Sequence, residues 1–140
     1  MTATGLSVAA SPEGMRQVAG AFDAYSAAHT LPSNVVESVQ VALDEVLSNI
    51  VRSGFTPGQK GRIEVRFEVE NGLLDVLVVD NGISFDPLSR ATPNLVAPLE
   101  SRPIGGLGIY FVKRLMDAVS YERVGQENHL RFSKKIEEHS

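Results

Sequence analysis

The chain reads as an α+β domain: a two-layer sandwich with a mainly antiparallel sheet and helices on one face. Three observations lead there. Residues 62–70, RIEVRFEVE, alternate strictly, with Ile63, Val65, Phe67 and Val69 on one side and charges on the other, as a half-buried antiparallel strand does. Asn71-Gly72 follows, the strongest short hairpin signal, and LLDVLVV returns from it. Two long amphipathic stretches come before the hairpin, so its apolar face has helices to cover it.

The elements follow in order. GLSVAA, residues 5–10, reads as a short first strand. SPEGMRQVAGAFDAYSAAH reads as a helix: Ser11 can cap it, Pro12 suits the first turn, and Met15, Val18, Ala19, Phe22 and Tyr25 recur at helical spacing. LPSN interrupts the pattern, with Ser33 or Asn34 as the expected next cap. A second helix should run from about 34 to 53 and stop near Gly54. TPGQKG is a loop. The return strand LLDVLVV is more apolar than its partner, hence more central, and runs into VDNGISFDP. Residues 86–104 hold four prolines and no clear periodicity, the pattern of a disordered segment or a functional lid. GGLGIYFVKRLMDAVS opens a helix straight after glycines, with Ile109, Val112, Leu115 and Met116 as its apolar stripe. Ser120 to Val124 begins another strand, GQEN reads as a turn, and HLRFSKKI as the last strand. The expected order is β-α-α-β-β-α-β-β. With no repeat and no linker, residues 1–140 read as a single domain.

Composition narrows the function. Hydrophobic residues make up 43% and charged residues 21%, which is an ordinary globular balance rather than a disordered one. The formal charge of −4 argues against direct nucleic-acid binding, because phosphate contacts need clustered Lys and Arg. With no cysteine, disulfides, thiolate metal sites and cysteine nucleophiles are excluded. His29, His129 and His139 are far apart in sequence, which argues against a histidine metal cluster. No apolar run is long enough to span a membrane, and the N-terminus lacks a signal-peptide pattern, so a cytoplasmic location with no membrane partner is expected.

Three constellations carry chemistry. LDEVLSNIVR, residues 43–52, is apolar on one helical side, yet Glu45, Asn49 and Arg52 fall together on the other at about 100° per residue. Glu45 and Asn49, at i and i+4, can converge: a carboxylate can take a proton, and an amide oxygen is a hard ligand suited to magnesium. Taken alone, the stretch reads first as the wet side of an amphipathic helix. Second, Asp80-Asn81-Gly82 ends the central strand. A carboxylate there can accept from an exocyclic amine such as adenine's, although Asp, Asn and Gly also make plain turns. Third, Gly105-Gly106-Leu107-Gly108 opens a helix, where bare N–H groups form an anion site. The GK[ST] ending of a P-loop and the βαβ setting of a Rossmann turn are both missing; glycines as the hinge of a lid are the other reading.

Taken together, E-x-x-x-N, then D-x-G after a hairpin, then G-G-L-G on a helix resemble the GHKL (Bergerat-fold) ATP-binding superfamily. VALDEVLSNI, VVDNGISFDP, PNLVAPLESRPIGGLGIYFVKRLMDAVSYER and GQENHLRFSKKI are similar to its anti-sigma-factor serine/threonine kinase branch, over residues 10 to 136. The resemblance implies ATP and Mg2+ as cofactors. It implies Glu45 as general base, Asn49 as magnesium ligand, Asp80 with Gly82 at the adenine, and Gly105, Gly106, Leu107 and Gly108 at the phosphates, with 86–104 as the ATP lid. Arg16 matches a position where some relatives carry an arginine near the γ-phosphate. The implied partners are a sigma factor and an anti-anti-sigma (STAS-domain) protein, the implied assembly a homodimer. One departure stands out: NIVRSGF carries Ser53 and Gly54 where relatives often have a histidine and an alanine or aromatic residue, and Arg52 beside them reads first as a surface charge, with a polyphosphate contact as the other reading. Two other readings are a non-catalytic module that uses ATP to set a partner-binding conformation, and a histidine-kinase catalytic domain cut from a larger protein.

Overall fold

A computed structural model describes residues 3–56, 58–84 and 106–136, with side chains from residue 110 onward in the last stretch. The expected lid, 86–104, and Gly105 lie outside the described residues. The elements are β1 (Ala3–Ala9), α1 (Pro12–Ala28), α2 (Ser33–Ser53), β2 (Arg62–Glu70), β3 (Leu73–Asp80), α3 (Gly106–Leu115), β4 (Ala118–Val124) and β5 (Glu127–Lys135). They form one five-stranded sheet in the order β1-β2-β3-β5-β4, antiparallel at every pairing. The α+β sandwich and the element order are those the sequence predicts.

The inward sheet face follows from strand alternation. Ile63, Val65 and Phe67 of β2, Leu74, Val76 and Val78 of β3, and Leu130 and Phe132 of β5 are all buried. The helices meet them with one stripe each: Val18, Phe22 and Tyr25 from α1, and Val35, Val39, Ala42, Leu43, Val46 and Leu47 from α2. Phe22 and Tyr25 pack on the Phe67 ring at 5.3 and 5.6 Å, and the Tyr25 hydroxyl accepts from the Val69 N–H at 2.9 Å. Each such fully buried side chain contributes roughly 1.5–3 kcal/mol. Val112 and Met116 extend the same core from the α3 end. No helix among the described residues is long and apolar enough to cross a membrane.

Local chemistry sets the ends. Ser11 caps α1, its Oγ accepting from the Gly14 N–H at 3.0 Å, with Pro12 just inside. The Asn71-Gly72 hairpin has both central residues in the left-handed region, φ 53° and 74°, the type I′ geometry its sequence demands. Four details differ from expectation. The first strand is Ala3–Ala9. The N-cap of α2 is Pro32 rather than Ser33 or Asn34: its fixed φ of −60° suits an extended entry, and Val36 donates to the Pro32 carbonyl at 3.0 Å. Helix α3 stops at Leu115, where Lys134 Nζ donates to the terminal carbonyl at 2.8 Å and the chain turns into β4. Finally, the last hairpin turns on Gly125-Gln126 alone, with Gly125 at φ 60°, so Glu127 and Asn128 belong to β5.

Gly14 and Gly20 share helix α1 but not its constraints. A Cβ on Gly14 would lie 1.9 Å from the Ala9 carbonyl oxygen, where β1 passes close under the helix; one on Gly20 would meet nothing. Gly14→Ala should therefore destabilise the fold by about 1–3 kcal/mol through overpacking. Gly20→Ala should stabilise it by about 0.4–1 kcal/mol, as helical Gly→Ala changes do in open space. Urea denaturation of the two variants checks the opposite signs.

Candidate functional site

The alternation that buries Leu74, Val76 and Val78 carries one residue further and turns Asp80 inward as well. Asp80 pairs with Ile63 on one side and Asn128 on the other, and Asn128 pairs with Arg123. One inward row thus reads Ile63, Asp80, Asn128, Arg123 across four strands. Its neighbour reads Val65, Val78, Leu130, Tyr121. The sheet stays apolar to its last row and becomes polar there. Asp80 and Asn128 are each only 6% exposed. Buried polar groups need partners, and these have them.

Asp80 Oδ1 accepts from the Gly82 N–H at 2.8 Å and from Asn128 Nδ2 at 3.0 Å. Asn128 Nδ2 also donates to the Ile83 carbonyl at 2.7 Å. Its Oδ1 accepts from the Tyr121 hydroxyl and from Arg123 Nη1, which donates in turn to the Gly82 carbonyl at 2.9 Å. The backbone after β3 is therefore bound at Gly82 and Ile83 by β4 and β5. It is bound from the other side by α2: the Ile83 N–H donates to the Gly54 carbonyl at 3.0 Å. A Cβ on Gly82 would sit 2.5 Å from that carbonyl oxygen and 2.9 Å from Asp80 Oδ1, so only glycine allows the approach. Gly54 itself is right-handed at φ −80°; space rather than φ selects glycine there, since a Cβ would lie 2.6 Å from the Ile50 carbonyl oxygen.

Between this row and the C-terminal half of α2 lies a hollow of about 490 Å³, counting its open mouth. Val46, Ile50, Ile83 and Leu130 supply apolar walls, Asp80, Asn128 and Tyr121 a polar end, and Asn49 and Ser53 a polar rim on the helix. A slot with apolar sides and a few convergent polar groups suits a flat heteroaromatic ring. Asp80 Oδ2 has no hydrogen-bond partner among the described residues, and it offers that ring an acceptor.

The expected site residues fall as follows. Asp80, Gly82 and Asn49 are brought together around the hollow. Glu45 stands one helical turn from Asn49, half-buried, outside the lining, and without a partner among the described residues. Asn49 Oδ1, the atom suited to magnesium, accepts from Arg52 Nη2 at 2.5 Å. Arg52, expected to be a plain surface charge, is exposed and holds that atom. No group of three metal-ligating side chains exists among the described residues, so a magnesium ion here would rest on Asn49 and on oxygens of the ligand itself. Gly106, Leu107 and Gly108 form the first turn of α3, which packs along α2. Arg16 is not brought to the hollow: it is 70% exposed on α1, paired with Glu13 at 2.6 Å.

Asn128, Tyr121 and Arg123 escape the sequence reading. GQEN looks like a turn, and that hides Asn128. The signal was there in the two-residue alternation of Asn128, Leu130 and Phe132, which extends the last strand backwards and puts an amide where a core residue belongs.

Comparison with known proteins agrees with this geometry. The chain is 32% identical over 93 residues to the serine/threonine-protein kinase BtrW of Bordetella bronchiseptica, covering 66% of each chain. It is 34% identical over 93 residues to the serine-protein kinase RsbW of Bacillus velezensis, covering 62% of this chain and 57% of that one. A third relative, the RsbW of Listeria innocua, is 33% identical over 88 residues, 60% of this chain and 56% of that one. The chain thus spans less than two thirds of the length of these curated relatives. Among solved structures, the RsbU and RsbW domains of Rv1364c from Mycobacterium tuberculosis superpose with a TM-score of 0.71 at 14% identity, over 97% of this chain and 33% of that one. The histidine kinase domain of the Erythrobacter litoralis blue-light activated histidine kinase superposes with a TM-score of 0.54 at 16% identity, over 89% of this chain and 60% of that one. Both share the fold. Residues 8–134 match the family described as the histidine kinase-like ATPase domain, and with that span, this fold and this buried carboxylate over an apolar slot, the chain belongs to that family.

Proposed function

We propose that the chain binds ATP in the hollow between α2 and the end of β3, and passes its γ-phosphoryl group to a serine or threonine of a protein partner. The observation that carries the reading is Asp80, an inward carboxylate with one oxygen tied down by the protein and the other at the wall of an apolar slot. Such an acceptor fits the exocyclic amine of adenine, while Val46, Ile50 and Leu130 fit its faces. The first turn of α3, with Gly106, Leu107 and Gly108, gives backbone N–H groups for the phosphates, and Gly105 is assigned the same task.

When bound with magnesium, ATP supplies an activated phosphoryl group. The remaining work falls to the chain. Asn49 would hold the metal through Oδ1, the oxygen that now accepts from Arg52 Nη2. Glu45, a helical turn away, takes the proton of the attacking hydroxyl as its oxygen bonds to phosphorus and the bond to the departing ADP oxygen breaks. Positioning and charge neutralisation are most of what phosphoryl transfer asks of a protein. Arg16 enters only if α1 approaches the phosphates with its Glu13 pair broken. The 32–34% identity to proteins named as serine kinases supports a protein hydroxyl as acceptor. The resemblance to anti-sigma-factor kinases supports a partner switch, in which one state holds a sigma factor and the other phosphorylates an anti-anti-sigma protein of the STAS type. It also supports a homodimer and a cytoplasmic setting.

One observation favours a second reading: Glu45 does not line the hollow. A non-catalytic module would bind ATP to set its partner-binding conformation and would need no base. Three variants separate the two. Glu45→Ala should keep ATP affinity within about threefold and cut phosphorylation of the partner by ~10²–10⁴-fold, as loss of a general base does. Unchanged phosphorylation would remove Glu45 from the chemistry, and no phosphorylation by the wild type would favour the non-catalytic module. Asn49→Ala should weaken nucleotide binding only when magnesium is present. Asp80→Ala should weaken ATP binding by about tenfold or more, in line with a charged hydrogen bond of ~1.5–3 kcal/mol. Titration calorimetry with and without magnesium reads the binding effects; equal ATP affinity in wild type and Asp80→Ala would refute the adenine assignment.

A further inference from the structure

The sequence holds two Asn-Gly pairs, Asn71-Gly72 and Asn81-Gly82, and the fold treats them in opposite ways. Asparagine is a thermolabile residue, most of all before glycine, where no side chain shields the following backbone nitrogen from the asparagine carboxamide. For the two groups to react, that nitrogen must be free and the peptide between the residues must be able to turn. At the β2–β3 hairpin both conditions are met. Asn71 and Gly72 are exposed, and a Cβ on Gly72 would meet nothing. Neither the Gly72 N–H nor the Asn71 carbonyl has a hydrogen-bond partner among the described residues. The Gly72 carbonyl accepts from the Ile136 N–H at 2.8 Å, but it belongs to the next peptide unit. Rotating the Asn71–Gly72 peptide alone therefore breaks no hydrogen bond. It converts the type I′ turn to type II′, which hairpins also use, and brings ψ of Asn71 to about −120°. There the glycine nitrogen faces the asparagine Cγ. Asn81-Gly82 has the same side chains and none of that freedom. Gly82 is buried, and its N–H donates to Asp80 Oδ1 at 2.8 Å. Asn81 Oδ1 accepts from the Arg62 N–H at 2.8 Å, which holds the carboxamide to β2. Arg123 fixes the Gly82 carbonyl, and Gly54 fixes the Ile83 N–H.

We propose that Asn71 is a modification site, where the chain closes a succinimide on itself and opens it to aspartate or isoaspartate, and that Asp80 guards Asn81 against the same reaction. The Gly72 nitrogen gives its proton to hydroxide and bonds to the Asn71 Cγ, and the carboxamide nitrogen leaves as ammonia. Water then opens the ring at one of its two carbonyls. One opening gives aspartate; the other gives isoaspartate, whose main chain is one methylene longer. Either way a neutral amide becomes a carboxylate. At the hairpin the product sets a new charge beside Glu70, and isoaspartate lengthens a two-residue turn that otherwise fixes the β2–β3 register. At Gly82 the same reaction would break the turn that Asp80, Arg123 and Gly54 hold. The Gly82–Asp80 bond thus keeps that turn chemically intact as well as in place. None of this depends on what the hollow binds.

The test is peptide mapping by mass spectrometry after the whole folded chain has stood at mildly alkaline pH, with an isoaspartyl methyltransferase and a labelled methyl donor as the probe for isoaspartate. A converted asparagine is heavier by about one mass unit. In the wild type, conversion should be about tenfold or more faster at Asn71 than at Asn81, which is the population cost of opening a hydrogen bond to a charged acceptor. Unfolding in urea should raise the Asn81 rate by a similar factor and bring the two sites close together. Asp80→Ala should raise the Asn81 rate by about tenfold in the folded chain and leave Asn71 unchanged. Asn71→Ser should remove most of the methyltransferase signal from the wild-type background. If Asp80→Ala does not fold, Asp80→Asn decides: it keeps a neutral acceptor for Gly82, and the Asn81 rate should rise by about threefold. No conversion at Asn71 in the folded wild type would overturn the modification site. Equal rates at the two asparagines would overturn the protection of Asn81. An Asn81 as durable in the folded Asp80 variants as in the wild type would overturn the guarding role of Asp80.

Discussion

A carboxylate on the inward face of a sheet must be answered by donors, and the answer given to Asp80 organises this end of the molecule. Its Oδ1 is met by a backbone N–H from the turn that follows it and by an amide from the next strand. That amide needs acceptors and donors of its own, which bring in Ile83, Tyr121 and Arg123. Arg123 closes the circuit on the Gly82 carbonyl. The result ties three strands and a turn to one acidic side chain. A buried network of this kind is favourable only when complete, because a missing member leaves another unpaired at low dielectric.

The apolar fold makes that arrangement possible by supplying register. A half-residue argument does not exist for strands: alternation either turns Asp80 in with Val76 and Val78 or turns it out with Leu77 and Val79. The Asn71-Gly72 turn fixes Ile63 opposite Asp80, and the second hairpin fixes Arg123 opposite Asn128. Helix α2 then roofs the row. Its buried stripe ends at Val46 and Leu47, and the next inward positions, Asn49 and Ile50, border open space instead of core. The hollow is the place where the helix outruns the hydrophobic row beneath it.

Much of this was legible in the sequence, for physical reasons. Strict alternation over Ile63–Val69, an Asn-Gly turn and two helical stripes leave few ways to fold, and the sandwich follows. Asp80 and Gly82 could be singled out because an acid and a glycine at the end of an apolar strand are costly without a use. Three kinds of feature stayed hidden. Local turn chemistry competes with strand pairing, so GQEN looked like four turn residues although two of them are paired. Cap choice at Pro32 depends on how the chain enters the helix, which composition does not record. And Arg123, 41 positions beyond Gly82, reaches that residue's carbonyl only through tertiary register that no local window contains. Arg16 stands apart from the hollow: a plausible residue type on the expected helix, engaged with Glu13 in solvent.

The long span between Asp80 and Asn128 also bears on how the molecule comes to exist. The β2–β3 and β4–β5 ladders are hairpins, joined by tight turns, and such contacts form quickly because little chain has to be closed. Joining β3 to β5 closes a loop of 48 residues, and β1 to β2 one of comparable size, each with its entropy cost paid before any contact rewards it. A nascent chain can therefore hold both hairpins and still have no binding pocket. The acid on one hairpin and the amide on the other meet only at the slow, long-range step. Competence to bind is thus a report on the completion of folding, and a chain arrested short of that step would pass every test of secondary structure while remaining functionally blank.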